Sequence, residues 1–222
     1  MSYALMHGPT LHAQARYTFF LPHAWLIGAI QVGDLAKIGF EYDPPGEKYA
    51  AERMWVQVDR IDGASYSGHL VNQPDEPTTN LTYGDKVSFA RENVLDVLLV
   101  DQRGLPDIKE DRERYPDVPE ERQYWDRCLV DESVLYDDVP VEFVYREEPD
   151  MAQEGDEYPD SGWRIRGKRG HASDEEMDER KLGYVAMGAV LNRDDSWLHL
   201  IDAPIGSAFM RNFETDAYER SE

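Results

Sequence analysis

The chain has 222 residues, 41% of them hydrophobic, which is enough to build the core of one or two domains. Its formal net charge of −22 argues against nucleic acid and anionic membrane as partners, because both are polyanions. The charge favours a basic partner, although high solubility or a salt-adapted proteome would give the same balance. Residues 1–100 hold 12 acidic and 7 basic residues, whereas residues 101–222 hold 33 and 16, so the acidity belongs mainly to the second half.

The compartment is indicated by three features of the chain. A single cysteine, Cys128, leaves no intrachain disulfide, which suits a reducing cytosol. Residues 1–7 lack the basic segment and apolar run of a signal peptide. The longest apolar stretch, residues 24–30, is too short to span a bilayer. We therefore expect a cytoplasmic protein with no membrane partner.

The first half carries the pattern of several short strands. Met54, Val56 and Val58 alternate with more polar residues, which is typical of a strand with one buried face. Gly-Asp and Asp-Gly pairs supply turns between such segments. After a loose lead-in, the predicted elements are strands at 17–21, 35–42, 54–58, 66–72 and 86–89, a short helix at 22–30, and an apolar segment at 93–100. We predict that residues 1–100 form a small β-rich module, an SH3-like barrel or a curled sheet with a short helix over one opening.

A polar connector with three prolines, residues 101–126, is the expected domain boundary. Residues 127–222 are predicted to form an acidic α+β domain. Its predicted elements are an apolar segment at 128–136, a strand at 140–145, a loop at 147–161, a strand at 163–166 that pairs with the preceding one, a buried segment at 183–191 and a strand at 197–201.

The loop that follows the strand at 140–145 is dense in carboxylates and flanked by aromatic residues. A segment this rich in carboxylates most often forms a solvated loop with no binding role. The functional alternative is a loop that occupies the basic cleft of a nuclease-like protein by mimicking phosphate, since complementary charge speeds association and interface hot spots favour aromatics. Trp163 has a second interpretation, as a core residue of its strand. The candidate partner-binding residues are Tyr145, Glu147, Glu148, Asp150, Asp156, Glu157, Tyr158, Asp160 and Trp163, with Glu154 in the same loop.

No pattern of catalysis or metal binding stands out. Cys128 is interpreted as a core residue rather than a nucleophile, because the six histidines are scattered and none sits in a known signature. Dense carboxylates suit Ca²⁺ or Mg²⁺, but no segment matches an EF-hand loop. The turn at 204–209 lacks the spacing of a nucleophile elbow and the lysine of a phosphate loop. We predict no catalytic residue, no metal and no cofactor.

Three strings in the first half, Val32–Lys37, Glu52–Val58 and Leu81–Val87, carry a family resemblance. Across roughly residues 17–100, the chain resembles the bacterial domain-of-unknown-function family twenty-three-fourteen. The resemblance implies a small β-rich module and no specific activity.

The second half resembles another family, the immunity protein thirty-three-like domain. The matching strings begin near Cys128 and continue through Tyr145–Asp150, Asp160–Arg164 and Asp202–Phe209, in matching order and spacing. The resemblance covers roughly residues 126–215. It implies an immunity protein of a bacterial polymorphic-toxin system.

Together these features predict a non-enzymatic binding protein. Its acidic second domain would neutralise a basic protein toxin by steric and electrostatic blockade, and the first domain would be a scaffold or a second contact surface. The alternative is a cytoplasmic housekeeping or adaptor protein with no toxin partner. The sequence leaves the oligomeric state open.

Overall fold

The computed structural model of the chain describes residues 2–100 and 122–221. The chain divides into two units, of which the first comprises Met1–Gln14 and Phe19–Glu121 and the second comprises Ala15–Thr18 and Arg122–Glu222. Both units are mixed α+β with strands predominating, which confirms the predicted fold class. Most of the predicted connector, residues 101–121, lies outside the described residues. Within the described ranges, no helix has the length and apolar character needed to cross a bilayer.

The first unit is a curled antiparallel sheet with two short helices. Its elements are β1 (Ser2–Leu5), α1 (Gly8–Gln14), α2 (Ala24–Gly28), β2 (Leu35–Asp43), β3 (Ala51–Asp62), β4 (Ser65–Leu70), β5 (Lys86–Ala90) and β6 (Val94–Leu98). The strands pair in the order β1-β2-β3-β4-β5, and β6 also pairs with β2, so the sheet is nearly closed into a barrel. This confirms the predicted barrel or curled sheet.

One face of β3 contributes to the core of this unit. Met54, Val56 and Val58 are buried, whereas Trp55 and Gln57 between them are half-buried. Successive side chains of a strand point to opposite faces, so one face of β3 enters the core. The prediction for this strand is confirmed.

Two predictions near the N-terminus are wrong. The expected loose lead-in contains β1, which pairs with β2, and the start of α1. The expected strand at 17–21 is a turn followed by irregular chain. The N–H of Tyr17 bonds to the side chain of Asn192 at 2.9 Å, so that N–H is not available to a strand ladder. The hydroxyl of Tyr17 donates to the carboxylate of Asp195 at 2.7 Å.

Glu76 is a buried carboxylate that fixes the loop between β2 and β3. It accepts hydrogen bonds from the N–H groups of Glu47 at 3.1 Å, of Lys48 and Tyr49 at 2.8 Å each, and of Thr78 at 3.0 Å. Burial alone would raise the pKa of Glu76. The bonds from the Thr78 hydroxyl and from these N–H groups outweigh burial and lower the pKa to about 2.

This carboxylate predicts an acid-dependent part of the stability. The folded pKa lies below the usual glutamate value of 4.5, so the stabilisation is complete above that value and is lost as the pH falls toward about 2. We expect the stability advantage of the wild type over Glu76→Gln to shrink across this window in chemical unfolding at stepped pH. The control Glu47→Gln, at an exposed neighbour, keeps Glu76 and the N–H that bonds to it, and should retain the loss of stability toward low pH. An advantage that stays unchanged down to pH 2 would contradict the assignment.

The second unit is a six-stranded mixed sheet. Its elements are β7 (Arg127–Asp131), α3 (Glu132–Tyr136), β8 (Val141–Arg146), β9 (Asp160–Gly167), α4 (Asp174–Asp178), β10 (Leu182–Ala186), α5 (Met187–Leu191), β11 (Ala208–Asn212) and β12 (Ala217–Arg220). The strand order is β10-β7-β9-β8-β11-β12. The strands β7 and β9 are parallel and the other pairs antiparallel. The predicted pairing of β8 with β9 is confirmed.

The expected strand at 197–201 is wrong, because this segment contains a 3₁₀-helix, Leu198–Leu200. Local bonds replace the strand ladder: the N–H of Leu200 bonds to the carbonyl of Trp197 at 2.9 Å. The turn buries both Trp197 and Ile201, and the carbonyl of Ile201 accepts a hydrogen bond from the indole of Trp163 at 3.2 Å.

The two faces of this sheet differ in chemistry. Val130, Val144 and Ile165 belong to the core that also contains the apolar residues of α3 and α5. Arg164 and Arg166 flank Ile165 on β9 and therefore point to the opposite face. Tyr145 lies beside Arg164 in the register. We call this side of the sheet, with its two arginines, the arginine face.

Candidate partner-binding surface

The acidic loop, residues 147–159, leaves β8 and returns to β9. It starts where the N–H of Glu147 bonds to the carbonyl of Gly162 at 3.0 Å. The hydroxyl of Tyr184 on β10 approaches the carbonyl of Met151 at 3.4 Å. The loop therefore crosses one end of the sheet, from β8 toward β10.

The side chain of Arg164, on β9, binds carboxylates at the start and the end of the loop. Its side chain is 3% exposed, and its Nε donates to Glu147 at 2.6 Å. Its Nη2 donates to Asp150 at 2.7 Å, and both Nη atoms donate to Asp160 at 2.9 Å. Nη1 also donates to the carbonyl of Trp163 at 3.2 Å. All five guanidinium donors therefore have acceptors, which is the condition for burying an arginine.

Asp160 connects this arginine to the loop backbone. Its carboxylate accepts hydrogen bonds from the N–H groups of Gly162 at 3.0 Å and of Asp150 and Met151 at 3.2 Å each. Burial would raise the pKa of Asp160, but the bonds from Arg164 and these N–H groups outweigh it and lower the pKa. Asp160 therefore bonds as a carboxylate and connects residues 150 and 151 of the loop to Arg164.

A second arginine holds the far part of the loop. Nε and Nη2 of Arg127 donate to Asp156 at 2.6 and 2.8 Å. The bond from Arg127 lowers the pKa of Asp156. The guanidinium of Arg127 lies 5.6 Å from the ring centre of Tyr158, whose ring centre is 6.0 Å from that of Trp125.

The structure divides the predicted partner-binding residues into three groups. Trp163 and Asp160 are buried, so neither side chain lies on the surface, and Trp163 has the core role of its second interpretation. Glu147, Asp150 and Asp156 form ion pairs within the unit. Tyr145 is half-buried, and the exposed remainder comprises Glu148, Glu154, Glu157 and Tyr158.

Arg127 and Arg164 are the residues that the sequence reasoning missed. A signal for Arg164 was present, because Asp160 and Arg164 lie four positions apart on one strand and so point to the same face. Glu148, Glu154 and Glu157 are exposed and form no ion pair within the described residues.

The string Asp160–Arg164 thus has a structural explanation at each position. The hydroxyl of Ser161 donates to the carbonyl of Arg127 at 2.6 Å. Gly162 has φ +80°, and a Cβ there would lie 2.2 Å from the carbonyl oxygen of Glu147. Only glycine allows this close approach of the two strands.

The string Asp202–Phe209 contacts the same end of the sheet, at Arg146 of β8. Arg146 donates to the carbonyls of Ser161 at 3.0 Å and of Ala203 at 2.8 Å. The backbone of Arg146 also pairs with Gly206 at 2.7 Å and with Ser207 at 2.8 Å. Three strings of the second-half resemblance, Tyr145–Asp150, Asp160–Arg164 and Asp202–Phe209, therefore converge around the ends of β8 and β9.

The remaining candidates for chemistry have structural roles. Cys128 is fully buried in the core, and burial raises the pKa of its thiol, so the reactive thiolate is disfavoured. Within residues 2–100 and 122–221, no group of three His, Cys, Asp or Glu side chains has the geometry to hold a metal ion.

Two family models match the chain, one in each half. Residues 128–221 match the model of the immunity protein Imm33 domain. Residues 9–106 match DUF2314, described as an uncharacterized protein conserved in bacteria. Both matches agree with the resemblances in the sequence. No curated protein and no solved structure matches the chain. Residues 128–221 are therefore similar to an immunity protein domain.

Proposed function

We propose that the chain is a non-enzymatic, cytoplasmic immunity protein whose second unit binds and neutralises a basic protein toxin. The observation that carries the proposal is the acidic loop in the region that matches an immunity protein domain. Its exposed carboxylates Glu148, Glu154 and Glu157 form no ion pair within the described residues. The loop is fixed because Arg164 and Arg127 bind four of its flanking and internal carboxylates.

The loop has two kinds of carboxylate, those that pair with its arginines and those that are exposed, and both support this role. A preorganised loop loses little conformational entropy on binding, so more of the interaction energy appears as affinity. Glu148, Glu154 and Glu157 would attract a basic surface over a long range and speed its association. Tyr158, which is 37% exposed, adds an aromatic contact of the kind common in interfaces.

The proposal is tested by growth rescue. The tagged full-length chain is used at low salt to capture proteins from a lysate of the bacterium that encodes it. The basic protein whose capture is lost at high salt is then expressed in a laboratory strain, alone and together with the chain. We expect growth to stop when the captured protein is expressed alone and to recover on co-expression. A captured protein that does not stop growth, or growth arrest that the chain does not relieve, would contradict the proposal and favour the adaptor role.

The free carboxylates predict a charge-specific loss of affinity. We expect the double variant Glu148→Lys/Glu157→Lys to bind the captured protein about tenfold more weakly at low salt, because two attractions become repulsions. The difference should narrow at high salt, where exposed charges are screened. Calorimetric titration measures both values.

The matched control is Asp137→Lys/Glu214→Lys, which changes the net charge equally. Both control residues are exposed and outside the acidic loop, and neither forms an ion pair within the described residues. Equal weakening by the two double variants would show that net charge alone governs binding, and would contradict a role of the loop.

A further inference from the structure

Part of the arginine face is an open apolar patch, formed by Phe143, Tyr145 and Met210. Met210 pairs with Phe143 in the register of β11 and β8, and Ala208 pairs with Tyr145, so all three point to the same side. The rings of Phe143 and Tyr145 stack with centroids 5.4 Å apart. The residues between them, Val144 and Phe209, turn to the core instead.

The patch is partly exposed although its residues are largely apolar. Met210 is 44% exposed, and Phe143 and Tyr145 are half-buried. The helices α3 and α5 pack on the other side of the sheet and do not cover it. Exposed apolar surface with a polar rim is typical of binding sites.

Two acidic segments border the patch along β9. The acidic loop is held over Arg164, the register neighbour of Tyr145. The helix α4 is held over Arg166, the register neighbour of Phe143, because Arg166 donates to the carbonyl of Met177. The exposed acidic residues of this second segment are Asp174, Glu175, Glu176, Asp178 and Glu179.

Arg166 and Arg180 fix the second segment as Arg164 fixes the first. Asp131 is fully buried and lies 2.9 Å from Nε of Arg166 and 3.0 Å from Nη1 of Arg180. Arg180 also donates to the carbonyls of Gly167 and Lys168 at 2.9 and 3.1 Å. Arginine contacts therefore hold both acidic segments, the acidic loop and the α4 segment, beside the patch.

We propose that the patch of Phe143, Tyr145 and Met210 is the apolar anchor site for a basic segment of the toxin, an inference that rests on the proposed function. An apolar side chain of that segment covers Met210 and the stacked rings. Its flanking lysines and arginines meet the acidic loop and the α4 segment. A second copy of this chain fits poorly, because it would bring the same acidic borders together in a protein of net charge −22.

The test uses the basic protein captured in the growth-rescue experiment and the full-length chain. Met210→Ala is expected to weaken binding about tenfold, as at an interface hot spot. Met210→Lys is expected to weaken it further, because it places a positive charge against a basic segment. The control Tyr136→Ala removes an apolar side chain that is 72% exposed on α3, on the other side of the sheet, and should leave affinity unchanged.

The outcomes separate this inference from the proposed function. Wild-type rescue with equal affinity of Met210→Ala, Met210→Lys and Tyr136→Ala would overturn the anchor site and leave the immunity role intact. Absence of rescue by the wild type would overturn the immunity role itself, and the anchor site with it. A dimer of the free chain in sedimentation that Met210→Lys dissociates would assign the patch to a second copy and overturn the proposal.

Discussion

Replacing Arg164 by alanine is expected to destabilise the second unit by about 3–5 kcal/mol, because it leaves a buried carboxylate without its counter-charge. Asp160 is 1% exposed at its side chain and bonds to two guanidinium nitrogens of Arg164. Glu147 and Asp150 lose the same partner, and repulsion among the three carboxylates then favours opening of the loop.

The matched control is Arg169→Ala. Arg169 belongs to the same unit and pairs with Asp174 at 2.8 Å, but the side chains are 48% and 87% exposed. An exposed ion pair contributes about 0–1 kcal/mol, so this variant should lie close to the wild type. Differential scanning calorimetry of the full-length chain measures both changes. An Arg164→Ala variant within about 1 kcal/mol of Arg169→Ala would show that Arg164 does not hold the loop.

Replacing Trp163 by alanine is expected to cost about 3–5 kcal/mol of stability, the range for deleting a large buried aromatic side chain. Trp163 is fully buried, packs edge-on against Trp197 with ring centroids 5.6 Å apart, and donates to the carbonyl of Ile201. Trp163→Phe should cost less, because it keeps most of the packing and loses the indole donor.

Trp125→Ala provides the comparison. Trp125 is only half-buried, and its indole donates to the side chain of the nearby Gln123 at 2.9 Å. We expect Trp125→Ala to cost less stability than Trp163→Ala in the same calorimetric experiment, because it exposes less buried apolar surface. Equal costs for Trp163→Ala and Trp125→Ala would contradict the core position of Trp163.

The strands with a clear period of two were predictable from the sequence, because burial of one face needs only local alternation. The pairing of β8 with β9 was also predictable, since the two segments are close in sequence. The segment at 17–21 was not predictable in this way. Its apolar residues fit a strand, but Tyr17 bonds to Asn192 and Asp195, which lie far along the chain.

The candidate site was predictable in position and not in detail. The density of carboxylates marked the acidic loop, and the aromatic residues marked its ends. Sequence alone could not tell which acids are paired, because Arg127 reaches Asp156 across 29 positions. The structure buries Asp160 and Trp163, whereas Glu148, Glu154 and Glu157 are exposed and remain candidates for the proposed contact.

Hydrogen exchange of the full-length chain, with and without the captured basic protein, tests the proposed contact surface most directly. We expect slower exchange on binding in residues 147–158 and in β11, where the acidic loop and the apolar patch lie. Slower exchange confined to α3 and α5, or to the first unit, would place the partner elsewhere and would contradict the acidic loop as the contact surface.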